Sequence, residues 1–170
     1  ILVKFIDAKQ DLSLQVHPNR DYIQKLCGMP YTQDESYYIL EAVEGASVYL
    51  GIKEGVNPEE MIEALRDGQK GISFPAEKFV NNFPAKKHDH FLIPAGTVHC
   101  SAPGCMVLEI SATPYIFTFK LWDWDRLGMD GLPRPVHVEH GKHNIRFDRT
   151  TEWVKENLVN HFITLHDDEV

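Results

Sequence analysis

The feature that most restricts the fold of this 170-residue chain is a series of short strand-like stretches divided by proline and glycine. Each stretch alternates apolar with polar residues or is rich in β-branched and aromatic residues, as β-strands are. The predicted strands cover residues 1–7, 11–17, 36–43, 46–53, 78–83, 90–93, 105–112 and 115–122. Short strands with regularly spaced turns predict an all-β sandwich or barrel.

Helices are expected only at the periphery of this β-rich pattern. The clearest one has an N-cap at Asn57, Pro58 at its first position and a stop at Gly68, and its apolar residues share one face. A shorter helix is predicted for residues 19–26, and another for residues 150–162.

The predicted connections define one main domain. Residues 36–43 and 46–53 are expected to pair as a hairpin that turns at Glu44 and Gly45. Residues 123–149 are polar and contain several glycines and prolines, which predicts loops. We expect residues 1–149 to form the β domain and residues 150–170 to form a C-terminal helix and tail.

The charge of the chain restricts its partners. The net charge is −8, and the sequence contains no basic run, which argues against nucleic acid as a partner. Hydrophobic residues make up 43% of the chain, which predicts a globular protein with a real core. No apolar run reaches the length of a membrane span, and no signal peptide is visible, so we expect no membrane partner.

The cysteines and the first residues add two expectations. Cys27, Cys100 and Cys105 are sparse and lack paired spacing, which predicts reduced thiols in a cytoplasmic protein, the last two buried and inert. The chain begins with a strand-like segment and has no initiator methionine. We therefore expect a domain of a longer protein, whose second domain would be a partner.

The stretch from Asp11 to Pro18 has two contrasting faces. Because successive strand residues point to opposite sides, one face is apolar and the other polar. Leu12, Leu14 and Val16 share the first face, and Ser13, Gln15 and His17 share the second. An amide and an imidazole two residues apart suit two ligands of one metal ion. A solvated strand face is the alternative, which we would favour for this stretch alone.

A second informative stretch runs from Asp89 to His99. Pro94 and Gly96 predict a tight turn between two strands, which places His99 at the start of the second strand. Taken alone, such a histidine is more often a hydrogen-bonded core residue than a ligand. The pattern Pro-x-Gly-x-x-His nevertheless resembles the second metal motif of the cupin barrels.

Together with Gln15-Val-His-Pro18, this motif resembles the type I mannose-6-phosphate isomerase family, which are zinc-dependent cupins. The resemblance continues over about residues 1–140. Further similar segments are Leu2-Val-Lys-Phe5 with Asp7-Ala8, Glu35-Ser-Tyr-Tyr-Ile-Leu40, Val107-Leu-Glu109, Leu121-Trp-Asp-Trp-Asp-Arg126 and Arg134-Pro-Val-His137. The resemblance implies an all-β cupin jelly-roll barrel with one or two peripheral helices.

The resemblance also implies a set of metal ligands. The positions that match the family ligands are Gln15, His17, Glu35 and His99. Two imidazoles, a carboxylate and an amide oxygen suit zinc, although iron, manganese or nickel would accept the same donors. Four residues of coordinating type at four family positions favour a metal site over a purely structural role for all of them.

The substrate half of the implied site departs from the family. Lys4 and Ser13 match residues that would bind the phosphate or hydroxyls, and Glu109 matches a catalytic acid/base or an orienting carboxylate. Lys120 stands where the family has an arginine, and we include it among the catalytic residues. Gln33 replaces a basic residue, so we expect weaker mannose-6-phosphate isomerase activity than the fold suggests.

The run that starts at Ser111 also differs from the family pattern. The metal half of the site therefore looks intact while the substrate half is altered.

The resemblance implies metal-dependent aldose–ketose isomerisation of mannose 6-phosphate and fructose 6-phosphate, with a small sugar phosphate as partner. Two alternatives stay open. One is a non-catalytic cupin that binds or senses a sugar, and the other is a metal-cupin enzyme for an unphosphorylated sugar. Five further histidines are interpreted as loop or strand-edge residues, with a surface metal site as the alternative for the first two: His88, His90, His137, His140 and His143.

Overall fold

In the computed structural model, which describes residues 1–112 and 117–163, nine strands form two antiparallel sheets. The first sheet has the order β1 (Leu2–Asp7), β8 (Cys105–Ser111), β3 (Glu35–Ala42) and β6 (His90–Ile93). The second has the order β5 (Val80–Pro84), β4 (Ser47–Ile52), β7 (His99–Ser101), β2 (Leu14–Val16) and β9 (Phe119–Trp122). This is the cupin-like β fold that the sequence predicts.

The described helices are short and lie outside the sheets. They are α1 (Arg20–Cys27), α2 (Pro58–Gly68), α3 (Ala76–Phe79), α4 (Val138–Gly141) and α5 (Thr151–Asn157). The side chain of Asn57 accepts a hydrogen bond from the amide of Glu60 at 3.0 Å, so the predicted cap of α2 is confirmed. None of the described helices is long and apolar enough to cross a bilayer.

Two apolar clusters fix the direction of the side chains on the central strands. One cluster joins the sheets through residues such as Tyr37, Ile39, Val48 and Leu50. The other packs the far side of the second sheet against α2, and it includes Leu14, Val16, Cys100 and Leu121. Because strand residues alternate, the residues between these members point toward the opposing sheet. Gln15 and His99 are such residues.

The predicted hairpin at Glu44 and Gly45 is wrong. The turn exists, but β3 pairs with β6 and β8, whereas β4 pairs with β5 and β7 in the other sheet. The residues that flank the turn bond to different neighbours: the amide of Val43 donates to Gly104, and the carbonyl of Ala46 accepts from Ala85. The turn is therefore a corner between two sheets.

Several element boundaries also differ from the predictions. The strand predicted for residues 11–17 is limited to β2, and the start of the stretch 78–83 belongs to α3. Residues 115 and 116 of another predicted strand lie outside the described residues. The segment expected to be loop contains α4.

The helix predicted for residues 150–162 is limited to α5. The chain leaves this helix because it bonds to the edge strand β6 instead. The amide of Leu92 donates to the carbonyl of Leu158 at 2.8 Å, and Val159 forms a β-bridge with Phe91. Val154 of α5 is buried in the cluster that joins the sheets.

Candidate metal centre

Three buried side chains from the two sheets meet at one point. His17 directly follows β2 and His99 begins β7, whereas Glu35 begins β3 in the opposing sheet. Nε2 of His17 lies 3.2 Å from one carboxylate oxygen of Glu35, and Nε2 of His99 lies 3.0 Å from the other. Ligand atoms of all three residues lie within 4.8 Å of one another.

The turn between β6 and β7 fixes the position of His99 and connects it to His17. Gly96 has a φ of +87°, and a Cβ there would lie 2.6 Å from Cγ of Arg146, so a side chain does not fit. The amide of Gly96 donates to the carbonyl of His17 at 2.9 Å. The turn predicted from Pro94 and Gly96 therefore precedes one candidate ligand, His99, and is hydrogen-bonded to the backbone of another, His17.

The hydrogen bonds of both imidazoles orient them toward Glu35. Nδ1 of His17 lies 2.5 Å from the carbonyl oxygen of Phe117, and Nδ1 of His99 lies 2.9 Å from that of Thr97. A ring nitrogen that faces a carbonyl oxygen carries the proton and donates it. Nε2 of each ring is then the nitrogen that faces the centre, and it is the atom that would bind a metal, as in metal-binding histidines.

The negative charge of the buried Glu35 carboxylate favours a bound cation. Burial by itself raises the pKa of Glu35, but its interactions with His17 and His99 outweigh burial and hold that pKa well below its usual range. The carboxylate is therefore ionised at neutral pH. Nε2 of His17 and Oε1 of Glu35 are buried, and neither has an aligned hydrogen-bond partner within the described residues.

Two donors that each bind one zinc ion at about 2.0–2.2 Å lie roughly 3.0–3.5 Å apart. The measured separations of 3.2 Å and 3.0 Å agree with that spacing. Two imidazole nitrogens and one carboxylate oxygen that lack aligned hydrogen bonds or face one another at this spacing therefore fit a divalent metal.

Gln15 lies beside this cluster, because it pairs with His99 across β2 and β7. Its Nε2 is 3.4 Å from Nε2 of His99, and its Oε1 accepts a hydrogen bond from the hydroxyl of Thr118 at 2.8 Å. A half-turn of the amide would exchange the two atoms and direct Oε1 toward the centre. The Thr118 hydroxyl can then accept from the amide, since a hydroxyl both donates and accepts.

Gln33 forms hydrogen bonds with Glu35 and with the backbone of Phe117. Its Nε2 donates to Oε2 of Glu35 at 2.8 Å, and its Oε1 accepts from the amide of Phe117 at 2.9 Å. The side chain of Gln33 is buried. The residue that departs from the family pattern thus contacts a candidate ligand.

A second carboxylate lies next to the centre. Lys4 and Glu109 are direct partners across β1 and β8, and Nζ of Lys4 lies 2.5 Å from Oε1 of Glu109. The hydroxyl of Ser111 donates to the same oxygen at 2.6 Å, and it lies 3.5 Å from Oε2 of Glu35. Ser111 thereby connects Glu109 to the candidate ligand Glu35.

Comparisons with known proteins lead to the same family as the sequence resemblance. The chain is 31% identical over 140 residues to the probable mannose-6-phosphate isomerase GmuF of Bacillus subtilis, covering 82% of this chain and 42% of that protein. It is 31% identical over 139 residues to the mannose-6-phosphate isomerase of Streptococcus mutans, with coverages of 82% and 41%. No family model matches. Over this stretch, the chain is homologous to proteins named mannose-6-phosphate isomerase.

The chain spans less than half the length of these relatives. The crystal structure of the mannose 6-phosphate isomerase from Bacillus subtilis matches with a TM-score of 0.73 at 26% identity, over 85% of this chain and 44% of that one. A putative mannosephosphate isomerase from Archaeoglobus fulgidus matches with a TM-score of 0.68 at 22% identity, over 92% of this chain and 44% of that one. The second match supports the fold alone.

Lys120 and Ser13, which the mannose-6-phosphate isomerase resemblance implies for the site, are located by their position along the strands, since within the described residues their side chains form no contacts that would locate them. Lys120 pairs with Gln15 across β9 and β2, and its ammonium has no partner among the described residues. Its backbone amide lies 3.2 Å from Nδ1 of His137. Ser13 stands directly before β2, and its hydroxyl makes no hydrogen bond in the described part of the chain.

The Asp-aromatic-Asp-Arg segment that resembles the mannose-6-phosphate isomerases forms a structural corner after β9. Asp123 is buried and forms ion pairs with Arg126 and Arg134. The indole of Trp124 donates to the carbonyl of Leu12 at 2.7 Å, just before β2. This corner ties the end of β9 to the start of the ligand-bearing strand.

The other histidines among the described residues form no comparable cluster. Within the described residues, His17, Glu35 and His99 are the one group that could hold a metal. Nδ1 of His140 lies 2.9 Å from the hydroxyl of Tyr22, and Nδ1 of His88 lies 2.6 Å from the hydroxyl of Tyr38. These contacts are those of surface side chains, in agreement with the interpretation from the sequence.

Sequence reasoning missed Tyr37 as a residue of this site. Its ring contacts that of His99 at a centroid distance of 6.1 Å, and its buried hydroxyl has no partner among the described residues. Burial, together with the charges of Glu35 and Glu109, raises the pKa of Tyr37 well above its usual value. The period of two along β3 could have revealed it, because residues 35 and 37 share one face.

Proposed function

We propose that this chain carries the metal-dependent site of an isomerase that interconverts mannose 6-phosphate and fructose 6-phosphate, or a closely related pair of sugar phosphates. The observation that carries the proposal is the buried cluster of His17, Glu35 and His99, in which Nε2 of both imidazoles faces an ionised carboxylate. The names of the homologues support the same reaction class.

Gln15, His17, Glu35 and His99 would hold the metal, with zinc as our first choice among zinc, iron, manganese and nickel. When bound, such an ion supplies Lewis acidity that polarises the carbonyl and hydroxyl oxygens of an open-chain sugar. The protein's own residues keep the ligand atoms deprotonated and oriented toward the position of the metal. The bonds from the two Nδ1 atoms to backbone carbonyls do this for both histidines.

Glu109 is our candidate for proton transfer. Aldose–ketose isomerisation removes a proton from one carbon and returns it to the neighbouring carbon through an enediol. Lys4 and Ser111 both bind Oε1 of Glu109, which fixes the carboxylate and leaves Oε2 to take and return the proton. Lys4, Lys120 and Ser13 would bind the phosphate and hydroxyl groups of the substrate.

The decisive assay measures fructose 6-phosphate formed from mannose 6-phosphate by the zinc-loaded protein. We expect turnover in the unmodified protein and a kcat lower by about 10²–10⁴-fold in Glu109→Gln, because that variant keeps the shape but cannot accept the proton. Metal content is measured in both, so that loss of zinc is not mistaken for loss of the base. Full activity in Glu109→Gln would exclude Glu109 as the base.

A specific observation favours a second candidate, a site for an unphosphorylated sugar. A phosphate brings about two negative charges, which cations must balance. Lys4 is already paired with Glu109, and Gln33 is neutral and turned toward Glu35. A thermal-shift screen of mannose and other free sugars beside their phosphates distinguishes the two, and it also detects binding without turnover.

A further inference from the structure

We propose that Gln33 is a positioning residue of the metal centre, whose amide couples Glu35 to the backbone segment that orients the other ligands. This proposal rests on the metal centre described above. It assigns Gln33 a role different from that of the basic residue it replaces, since it acts on the metal ligands and not on the substrate.

The proposal starts from the two hydrogen bonds of the Gln33 amide. The NH₂ group donates to Oε2 of Glu35 at 2.8 Å, and the carbonyl oxygen accepts from the amide of Phe117 at 2.9 Å. A weaker contact of 3.4 Å joins the NH₂ group to the hydroxyl of Ser111. Gln33 is 1% exposed, so water does not compete for these bonds.

The segment of Phe117 and Thr118 forms hydrogen bonds with both candidate ligands at the end of β2, Gln15 within the strand and His17 directly after it. The carbonyl of Phe117 accepts from Nδ1 of His17 at 2.5 Å, and the hydroxyl of Thr118 donates to Oε1 of Gln15 at 2.8 Å. Gln33 accepts a hydrogen bond from the amide of Phe117, which is also the residue whose carbonyl orients His17. A continuous path of hydrogen bonds therefore runs from Glu35 through Gln33 and Phe117 to His17.

The chemistry of glutamine suits this position. The bridge needs a donor toward the carboxylate and an acceptor toward the Phe117 amide, and a primary amide provides both without adding charge. Lysine offers donors only, methionine offers neither, and asparagine is one methylene too short to span the same two partners. Residues that orient metal ligands typically change metal affinity about 10–100-fold when they are replaced.

The test is zinc affinity, measured by competition with a chelator of known affinity. We expect Gln33→Met to bind zinc about 10–100-fold more weakly than the unmodified protein. Gln33→Asn, which keeps a buried amide, should show a weakening in the same direction. The visible absorption spectrum of the cobalt-loaded protein should also change in both variants, because the orientation of Glu35 alters the ligand field.

Asn81→Leu is the matched control for the loss of a buried amide. The side chain of Asn81 is buried and donates to the carbonyls of Leu50 and Ile52, so its loss weakens the fold without touching a candidate ligand. Its zinc affinity should equal that of the unmodified protein. Equal affinity in Gln33→Met, or an equal weakening in Asn81→Leu, overturns the proposal.

A measurement on the unmodified protein covers the case in which the variants fail to fold. On addition of one equivalent of zinc to ¹⁵N-labelled protein, the side-chain amide signals of Gln33 should shift, whereas those of exposed Gln69 should not. Unshifted Gln33 signals in zinc-loaded protein would overturn the role of Gln33 alone. An unmodified protein that binds no zinc would overturn the metal centre itself, and Gln33 with it.

Discussion

At the scale of single residues, each imidazole of the centre has one nitrogen committed to the backbone. Nδ1 of His99 bonds to the carbonyl of Thr97, and this leaves Nε2 as the atom that can bind a metal. His99→Ala removes that donor and leaves Glu35 with one imidazole partner. We expect the variant to lose about one equivalent of metal, measured by elemental analysis of protein purified without added metal. Unchanged metal content would contradict the assigned site.

Lys120 supports a second prediction at this scale. Its ammonium is unpaired within the described residues and lies, by strand register, next to Gln15. If it binds the substrate phosphate, Lys120→Met should lower kcat/KM for mannose 6-phosphate about 10–100-fold, the value of a hydrogen bond to a charged group. Lys120→Arg should raise kcat/KM, because its planar fork can grip two oxygens. Equal kcat/KM in all three proteins would exclude contact with the phosphate.

The combined change of Gln33→Lys and Lys120→Arg restores both basic positions of the family pattern. The structure alters what this double variant tests, because the side chain at position 33 faces Glu35. An ammonium there would pair with Glu35 before it reached a phosphate. Activity on mannose 6-phosphate that appears only in the double variant would show that the unmodified protein uses another ligand.

At the scale of elements, β2 determines which residues reach the centre. Leu14 and Val16 are fully buried in the cluster that faces α2, while Gln15 between them points to the opposing sheet. Leu14→Ala should therefore lower the free energy of unfolding by about 2–5 kcal/mol, because it leaves a cavity. Ser13→Ala, one residue earlier and half-buried, should change it little. Denaturant titrations that gave the reverse order would refute this register.

Elements whose cause is local were predictable from the sequence. The cap at Asn57, the first position of Pro58 and the stop at Gly68 depend on neighbouring residues, and α2 follows them. The pairing of β3 and β4 depends on distant partners such as Gly104 and Ala85, and there the prediction failed. The residue types of a turn predict the turn itself, but tertiary packing determines which strands pair on each side of it.

In the candidate site, too, features with a local cause were predictable, whereas contacts with distant segments were not. A period of two and a Pro-Gly turn predict the directions of His17 and His99, and the family resemblance implies that both are ligands. The position of Gln33 against Glu35 and Phe117 depends on a segment 84 residues away in the sequence, and no local pattern encodes it. The family comparison even suggested a different role for Gln33, because it reports the residue type but not the contacts.

At the scale of the whole molecule, the candidate metal ligands lie on both sheets. Gln15, His17 and His99 come from the second sheet, and Glu35 from the first, so a bound ion would connect both layers. A ligand that binds only the folded state adds about 2.7–4.1 kcal/mol when its free concentration is 100–1,000 times its Kd. In a domain of this size that free energy corresponds to a rise of roughly 5–16 °C in Tm.

Removal of the metal with a chelator should therefore lower Tm by this amount, and added zinc should restore it. In His99→Ala the two conditions should give nearly the same Tm, because the ion has lost a ligand. Asn81→Leu should unfold at a lower temperature in both conditions but keep the full difference, since its hydrogen bonds lie within the second sheet and α5. Equal Tm values for loaded and stripped protein would mean that the sheets are not joined through the metal.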